Sequence, residues 1–343
     1  MNAAFAPVPL FGAEESFGDP VAFSASVTVP AGQEASPDVV RLRNSTGQTV
    51  EIHAIRFSLR SSKPGTAPPK LCGGVLGAKL ALNDLPLTAN YVPVYSFGRS
   101  TNFATEEQYV SDNLTDERAA WSDYTWTLDA PIEVTPESVI VPTFKHFGLI
   151  TEDIDARITY LGRIVPAGAV AKRWLPYVSS WSAPTIDCAW LVDAAIPLDA
   201  SQDYTNPLTA LVNAGIPGDL RIRRLTGRIL QQYNVEVPLS ITFTEEGIFD
   251  KAVPGTNALD GALFVKAALV SGFELVRDLL PFRGVFSRLD RSLDVDFILA
   301  SNDSLTTTIE LRKDSFSQSP DAAVVPTSII PTIAMIGYRE VAP

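Results

Sequence analysis

Cysteine and histidine are scarce in this 343-residue chain, which has two of each. Cys72 and Cys188 can form one disulfide at most, and the sequence leaves open whether they are bonded. Together with His53 and His146, they do not show the ligand spacing of a Cys/His zinc site. We therefore expect no disulfide framework, no tightly bound metal and no cofactor.

Positive charge is also in deficit, because 27 Lys and Arg residues stand against 39 Asp and Glu, a formal net charge of −12. A protein this acidic is repelled by phosphate backbones, so no direct nucleic-acid binding is expected. No segment approaches the ~20 apolar residues of a membrane span. No Lys or Arg precedes Arg41, unlike the charged start of a secretory signal. The sequence predicts a soluble protein made in a cytoplasm.

Catalytic motifs are missing as well. The chain has no G-x-S-x-G, no H-E-x-x-H and no glycine-rich phosphate loop. His53 lies within an alternating pattern typical of a strand and His146 follows another, so a structural role is favoured for both. We expect no catalytic residue and no enzyme activity, although a glycosidase-like pair of carboxylates stays open on composition.

Two acidic runs are candidate ion sites. Glu152, Asp153 and Asp155 offer oxygen ligands for a hard cation, but their spacing is not that of an EF-hand loop. An acidic loop before a strand is more often simply solvated. Asp294 and Asp296 alternate with apolar residues, which predicts the exposed face of a strand.

The chain repeats itself, first in its closing phrases at 158–166 and 333–343. They share the spacing I-x-x-[LI]-G, formed by Ile158, Leu161 and Gly162 and by Ile333, Ile336 and Gly337. Two opening phrases share R-x-R-x-x-T-G at a constant offset of 180: Arg41, Arg43, Thr46 and Gly47, and Arg221, Arg223, Thr226 and Gly227. These two pairs of matching phrases predict a tandem duplication, in which the two opening phrases superpose on each other and so do the two closing phrases.

The arginines of each opening lie at i, i+2 and project from one face of a predicted strand. Two interpretations stay open. The first is a solvated outer face. The second is ion pairing between domains or subunits, for which the planar guanidinium is well suited.

Alternating apolar and polar residues typical of half-buried strands fill both halves. The runs are 50–59, 124–128 and 138–144 in the first half, and 233–243, 293–299 and 305–311 in the second. A phase change near Ala54 indicates a β-bulge. Short strands between Pro, Gly, Asn and Asp turns predict two antiparallel β-sandwiches.

Two stretches are helix candidates. Residues 115–121 have Thr115 as an N-cap with acidic residues behind it. Residues 260–280 are rich in Ala and Leu and end at Pro281, but Gly272 and β-branched residues leave a strand interpretation open. Both lie between the earlier and later strands of their half.

The repeat divides the chain into an N-terminal arm (1–35), a first sandwich (36–165), a linker (166–184) and a second sandwich (185–343). The arm carries apolar residues among prolines and is either a frayed end or an extended segment docked on a neighbour. The linker contains Trp174, Tyr177 and Trp181, and because large aromatics seek burial we expect it to pack between the domains.

Two tandem sandwiches with these openings, long alternating strands and closing phrases resemble the double jelly-roll major capsid proteins of tailless icosahedral viruses, such as membrane-containing phages and adenovirus-like viruses. The resemblance implies an all-β fold of two tandem antiparallel jelly rolls with short helical insertions. It implies a homotrimer whose six jelly rolls form a pseudo-hexameric capsomer, with the linker and the insertions at 100–122 and 255–285 between subunits. The family has no catalytic residues to carry over.

The same resemblance implies a place in the virion shell, with assembly in the host cytoplasm. Neighbouring capsomers, penton or minor capsid proteins and an underlying viral membrane would be the partners. Two rival hypotheses stay open: a two-domain jelly-roll carbohydrate-binding protein or glycan-acting enzyme, and a phage spike or tail component.

Overall fold

The computed structural model describes residues 18–62, 73–98, 121–165, 173–209, 219–232, 243–245, 263–269, 272, 274–286, 292–300, 304–313 and 326–341. Residues 115–120 of the predicted helix, the predicted strand residues 233–242, Cys72 and the first 17 residues lie outside this part of the chain.

The described residues of the first half form nine strands: β1 (Pro20–Val29), β2 (Glu34–Ala35), β3 (Thr49–Ser61), β4 (Leu76–Leu82), β5 (Leu85–Pro86), β6 (Val92–Pro93), β7 (Ser122–Val134), β8 (Ile140–His146) and β9 (Ile154–Val165). Three short 3-10 helices connect them: η1 (Val39–Leu42), η2 (Gly73–Val75) and η3 (Val94–Ser96).

In the second half, ten strands lie within the described ranges: β10 (Arg173–Ser182), β11 (Ile186–Asp187), β12 (Ser201–Thr209), β13 (Leu220–Gln232), β14 (Phe243–Glu245), β15 (Leu263–Leu269), β16 (Glu274–Pro281), β17 (Ser292–Leu299), β18 (Ser304–Arg312) and β19 (Ser328–Val341). The described residues of this half also form two single-turn α-helices, α1 (Ala189–Val192) and α2 (Phe282–Val285).

Strand order defines the fold. In the first half one sheet has the order β1-β9-β3-β7, and the facing sheet has the order β2-β8-β4-β5 with β6 also on β4. In the second half the orders are β10-β19-β13-β17, with β11 and β14 as additions, and β12-β18-β15-β16. With strands lettered B to I along each half, both halves are BIDG sheets packed on CHEF sheets. This is the eight-stranded jelly roll, so the expected all-β fold of two tandem jelly rolls is confirmed.

Each sandwich has its own core, formed by every second side chain along its strands. In β7 the side chains of Tyr124, Trp126 and Leu128 point inward and are buried, as the sequence pattern predicts. Phe57 stacks on Phe97 with ring centroids 4.8 Å apart. This aromatic contact joins the BIDG sheet of the first sandwich to the segment that follows β6.

The closing phrases occupy the same structural position. Gly162 of β9 pairs with Ile52 of β3, and Gly337 of β19 pairs with Ile222 of β13. A Cβ atom on either glycine would lie 2.2 Å from a carbonyl oxygen, that of Glu51 or of Arg221. Only glycine allows this approach of strand I to strand D. The register shifts immediately beyond the pairing in both sheets, which confirms the bulge near Ala54 and places a second one at residue 223.

The prediction that the two opening phrases superpose is wrong. Thr226 and Gly227 lie inside β13, but Thr46 and Gly47 lie in the turn before β3, where Gly47 has φ +72° and Thr46 bonds the Asn44 side chain. Because Ile52 and Ile222 are the equivalent residues, the offset in strand D is 170 rather than 180. The two phrases share residue types without sharing a backbone conformation.

The domain limits also change. Residues 20–35, assigned to the arm, form strands B and C of the first sandwich, where Val21, Phe23 and Val27 alternate toward the core. Residues 173–182, assigned to the linker, form strand B of the second sandwich against β19. The helix expected at 260–280 is wrong over its described residues, which form the β15–β16 hairpin. Gly272 takes φ +97° in its turn, a conformation that ends any helix.

Candidate assembly surfaces

The two sandwiches meet at the outer edge of β10, which faces residues 87–90 of the first sandwich. The N–H of Ala89 donates to the carbonyl of Val178 at 2.9 Å, and the N–H of Val178 donates to the carbonyl of Leu87 at 3.0 Å. The side-chain amide of Asn90 donates to the carbonyl of Ser180 at 2.8 Å. An edge strand exposes unpaired peptide groups, so these bonds satisfy part of the edge of β10 within the chain. We call this contact the junction.

Buried side-chain hydrogen bonds reinforce the junction. The hydroxyl of Tyr95, in η3, donates to Oγ1 of Thr332 in β19 at 2.9 Å. The hydroxyl of Thr226, in β13, donates to the carbonyl of Ser96 at 3.2 Å. Both bonds join the segment after strand F of the first sandwich to the outer face of the second BIDG sheet.

Apolar packing completes the junction. Five side chains of the second sandwich belong to the core cluster of the first: Leu175, Val178, Leu230, Ala334 and Ile336. Tyr177 packs in the core of the second sandwich, and Trp181 packs against it. Strand β10 is therefore buried from both sides, but its aromatic residues Tyr177 and Trp181 pack in the second sandwich, and it is Leu175 and Val178 that contact the first. A shared apolar contact of this kind fixes the relation of the two domains.

A cavity of about 180 Å³ lies along the junction. Its lining comprises Gly74, Pro93, Tyr95, Phe147, Leu149, Ser182, Leu230, Ile330 and Thr332. Ligand sites for drug-sized molecules usually occupy roughly 300 Å³ or more. The cavity is mostly apolar and its hydroxyls are paired with each other, since Ser182 and Thr332 lie 2.8 Å apart. It is better described as imperfect packing between the sandwiches than as a binding site.

The arginines of the second opening form an ion cluster on the outer face of their own sheet. Arg221 binds Asp296 through two parallel bonds of 2.8 and 2.7 Å, and Nη1 of Arg223 lies 2.8 Å from the same carboxylate. The hydrogen bond from Arg221 holds the pKa of Asp296 down to about 2. These bonds join neighbouring strands D and G of one sheet, so they are not the pairing between domains or subunits that the second interpretation gave, and Arg221 and Asp296 lie exposed on the outer face as in the first. Asp294 and Asp296 are exposed, as expected.

One ion pair does cross the junction, and sequence reasoning missed it. Nη2 of Arg224 lies 3.8 Å from Oδ1 of Asp129, which links strand D of the second sandwich to strand G of the first. No local pattern marks either residue, because the contact exists only once the junction has formed. In the first opening, Arg43 pairs with the exposed Glu137 at 3.3 Å.

Both histidines sit in structural settings. His146 is buried, and its Nδ1 accepts a bond from the N–H of Gly148 at 2.9 Å. Its Nε2 therefore carries the proton and donates to the carbonyl of Glu152 at 3.1 Å. His53 is half-buried at the bulge of β3, with Nε2 3.6 Å from Glu51. Burial lowers the pKa of both imidazoles, which favours their neutral forms.

The acidic residues considered as cation ligands have other partners. Asp153 accepts the N–H of Ala31 at 3.0 Å. Asp155 accepts the hydroxyl of Thr28 at 2.7 Å and Nε of Arg60 at 3.1 Å. Throughout the described ranges, no three His, Cys, Asp or Glu side chains cluster closely enough to hold a metal ion.

Cys188 is a free, buried thiol, and burial raises its pKa to about 12. Such a thiol is unreactive at neutral pH. In the part of the chain that the structure covers, no helix has the length and apolar character needed to cross a membrane.

No protein-family model matches this chain, and no curated protein sequence matches it. Solved structures similar to it include the major capsid protein P2 of bacteriophage PM2, at 10% identity and TM-score 0.39, covering 94% of this chain and 98% of that one. The mavirus major capsid protein is similar at 8% identity and TM-score 0.34, covering 98% and 92%. A chain of the Sputnik virophage is similar at 8% identity and TM-score 0.31, covering 99% and 91%. Two of the three are named as major capsid proteins.

Proposed function

We propose that this chain is a structural coat subunit, the major capsid protein of an icosahedral virus, and that it acts without enzyme activity. One observation carries the proposal: two jelly rolls of identical strand order are joined side by side in a single chain through a buried junction. A fixed pair of equivalent lobes is a building block suited to tiling.

Symmetry gives the form of the tile. Heterologous contacts that close on themselves generate a ring, and three copies of a two-lobed chain present six similar lobes. A pseudo-hexameric outline of this kind packs beside copies of itself. An obligate ring of this type buries large interfaces, typically 2,000 Å² or more. We therefore propose a homotrimeric capsomer.

The partners follow from the role. We propose neighbouring capsomers and penton or minor capsid proteins as contacts, with a viral membrane beneath the shell as a further surface. The net charge of −12 supports a subunit that does not bind the genome directly. The location is the virion, after assembly in the host cytoplasm.

The mass in solution tests the proposal. Light scattering at micromolar and at about tenfold lower concentration should give three times the chain mass of 37.0 kDa at both. Electron microscopy of concentrated protein should then show hexagonal tiles or shells. A folded monomer at both concentrations would remove the capsid role. Glycan affinity in such a monomer would favour the carbohydrate-binding alternative, and attachment to a tail would favour the spike.

A further inference from the structure

The two halves are alike in fold but differ in what they leave uncovered. In the first sandwich, β6 at the end of strand F contacts β10, and the turn after it, η3, contacts β13 and β19. Val92 is 0% exposed and Pro93 is buried. The second sandwich has residues equivalent to Val92 and Pro93 at the end of its own strand F.

Pro281 is the equivalent of Pro93. Each proline ends strand F and pairs with strand E, at Gly77 or at Phe264. Their backbone angles agree, with φ −54° and ψ 131° for Pro93 and φ −51° and ψ 130° for Pro281. A single helical turn follows each one, η3 or α2.

The equivalent surface of the second sandwich is open. Leu280, which precedes Pro281 as Val92 precedes Pro93, is 44% exposed, and Pro281 is exposed as well. Ile298, on strand G, which follows strand F along the chain but belongs to the other sheet, is 63% exposed. Among the described residues, the four large apolar side chains that are exposed all lie in the second half, and these are two of them. We call Leu280, Pro281 and Ile298 the open F–G surface.

Strand β10, which contacts strand F at the junction, has an equivalent in the first sandwich, strand β1, whose outer edge is uncovered. Val21 of β1 pairs with Gly162 as Tyr177 of β10 pairs with Gly337, so Ala22 is the equivalent of Val178. Val178 is 0% exposed at the junction, whereas Ala22 is exposed. Within the described residues, β1 pairs with β9 alone, so its other edge presents unpaired peptide groups.

We propose that the open F–G surface of one copy of this chain binds the edge of β1 in the next copy, repeating between chains the junction that exists within each chain. This inference rests on the proposed function and names the surfaces that would build its ring. The contact is head to tail, because each copy carries one open strand B and one open F–G surface.

Charge supports the pairing. At the junction, Asp129 on strand G meets Arg224 on strand D. Between copies, the exposed Asp294 on strand G of the second sandwich and the exposed Arg56 on strand D of the first supply the same signs on the same strands. These two residues do not stand at equivalent positions, because Ala54 is the equivalent of Arg224 and Thr127 that of Asp294, but their opposite signs favour association of the two surfaces.

Single substitutions on each surface test the contact. Leu280→Glu and Ala22→Glu each place a charge where the contact would exclude water, and both positions are exposed in one chain, so folding should be preserved. The matched control is Leu198→Glu, which alters an equally apolar side chain, 60% exposed, outside both surfaces. We expect a threefold fall in mass for the first two variants and no change for the control. Circular dichroism and thermal unfolding would show that all three remain folded.

A cross-link identifies the partner surface directly. In a Cys72→Ser background, Ala22→Cys combined with Leu280→Cys should form disulfides between copies and yield a covalent ring, while Ala22→Cys with Leu198→Cys should not. If the wild type is a trimer but Leu280→Glu and Ala22→Glu stay trimeric and no cross-link forms, this inference is overturned and the proposed function stands. If the wild type is a monomer, the proposed function fails, and the inference fails with it.

Discussion

The hydroxyl of Tyr95 and Oγ1 of Thr332, 237 residues apart in sequence, share a buried hydrogen bond of 2.9 Å that joins the two sandwiches. Tyr95→Phe removes this donor while keeping the ring. The loss of a buried hydrogen bond costs about 1 kcal/mol, and up to about 3 kcal/mol where the partner is left unsatisfied. We expect a fall of that size in the free energy of unfolding, measured with urea. Tyr91→Phe is the control, since its hydroxyl bonds Glu34 at the surface, and it should change stability by less than about 0.5 kcal/mol. Equal effects in both variants would contradict the structural role of the buried bond.

The equivalence of Gly162 and Gly337 predicts equal sensitivity to alanine. In either variant the new Cβ would lie 2.2 Å from a backbone carbonyl oxygen, which cannot move aside without opening the sheet. We expect Gly162→Ala and Gly337→Ala each to cost about 1–3 kcal/mol or more, read as a lower melting temperature. The control is Gly284→Ala in α2, whose Cβ would meet its nearest neighbour at 3.8 Å. A Gly284→Ala variant destabilised to the same extent would show that alanine itself, and not the close approach, is responsible.

The pairing of Asp296 with Arg221 and Arg223 predicts a dependence on acid pH. The pKa of Asp296 in the folded chain is about 2, below the usual value of about 3.9, so its contribution to stability is present above pH 4 and is lost as the pH falls toward 2. We expect wild type and Asp296→Asn to differ in stability near neutral pH and to converge in acid. Because the pair is half exposed, high salt should also narrow the difference. Asp294→Asn, which removes one 3.4 Å contact, should show a smaller effect. A constant difference down to pH 2 would contradict the assignment.

The burial of His146 predicts that stability also depends on pH closer to neutrality. Its pKa is lowered by burial, so the folded chain takes up its proton less readily than the unfolded chain, and stability is lost as the pH falls below about 6.5. Protonation would also turn Nδ1 into a donor and break its bond with the N–H of Gly148. We expect wild type to lose stability between pH 7.5 and 5.5, and His146→Asn to lose stability at pH 7.5 but to show less of this pH dependence. A His53→Asn variant with the larger loss of pH dependence would show that the wrong histidine has been named.

Metal removal should leave the protein unchanged. The chain has two cysteines and two histidines, and the described acidic residues at 153 and 155 are bonded to other groups. We expect the melting temperature to be the same with and without a chelator. A large fall on chelation, restored by one divalent cation, would reveal a site that neither sequence nor structure has shown.

The parts of the fold that sequence could predict are those set by local pattern. The alternation of Tyr124, Trp126 and Leu128 and the phase change at Ala54 are visible in the chain because burial and bulges act on consecutive residues. The closing glycines were found because the same steric approach requires the same residue in both halves. The alternation of Val21, Phe23 and Val27 was equally present but was overlooked among the prolines that precede it.

The parts that could not be predicted depend on distant contacts. Strand β10 does not alternate strictly, because it is buried on both faces, and it therefore looked like a linker. The equivalence of Pro93 and Pro281 rests on backbone angles, while the neighbouring residues differ. The resemblance between the two opening phrases predicted a superposition that does not occur, because arginine, threonine and glycine suit both a turn and a strand.

The hydrogen bonds between Val178 and residues 87–89 have a further consequence during synthesis. Strand β10 leaves the ribosome well before β19, the last strand of the chain and its partner in the sheet. Over that interval an unpaired apolar strand is open to wrong association. The first sandwich is already complete by then, since all of its strands precede residue 166. Its edge at residues 87–90 gives the nascent strand a native partner at once, so the completed first sandwich protects the first strand of the second.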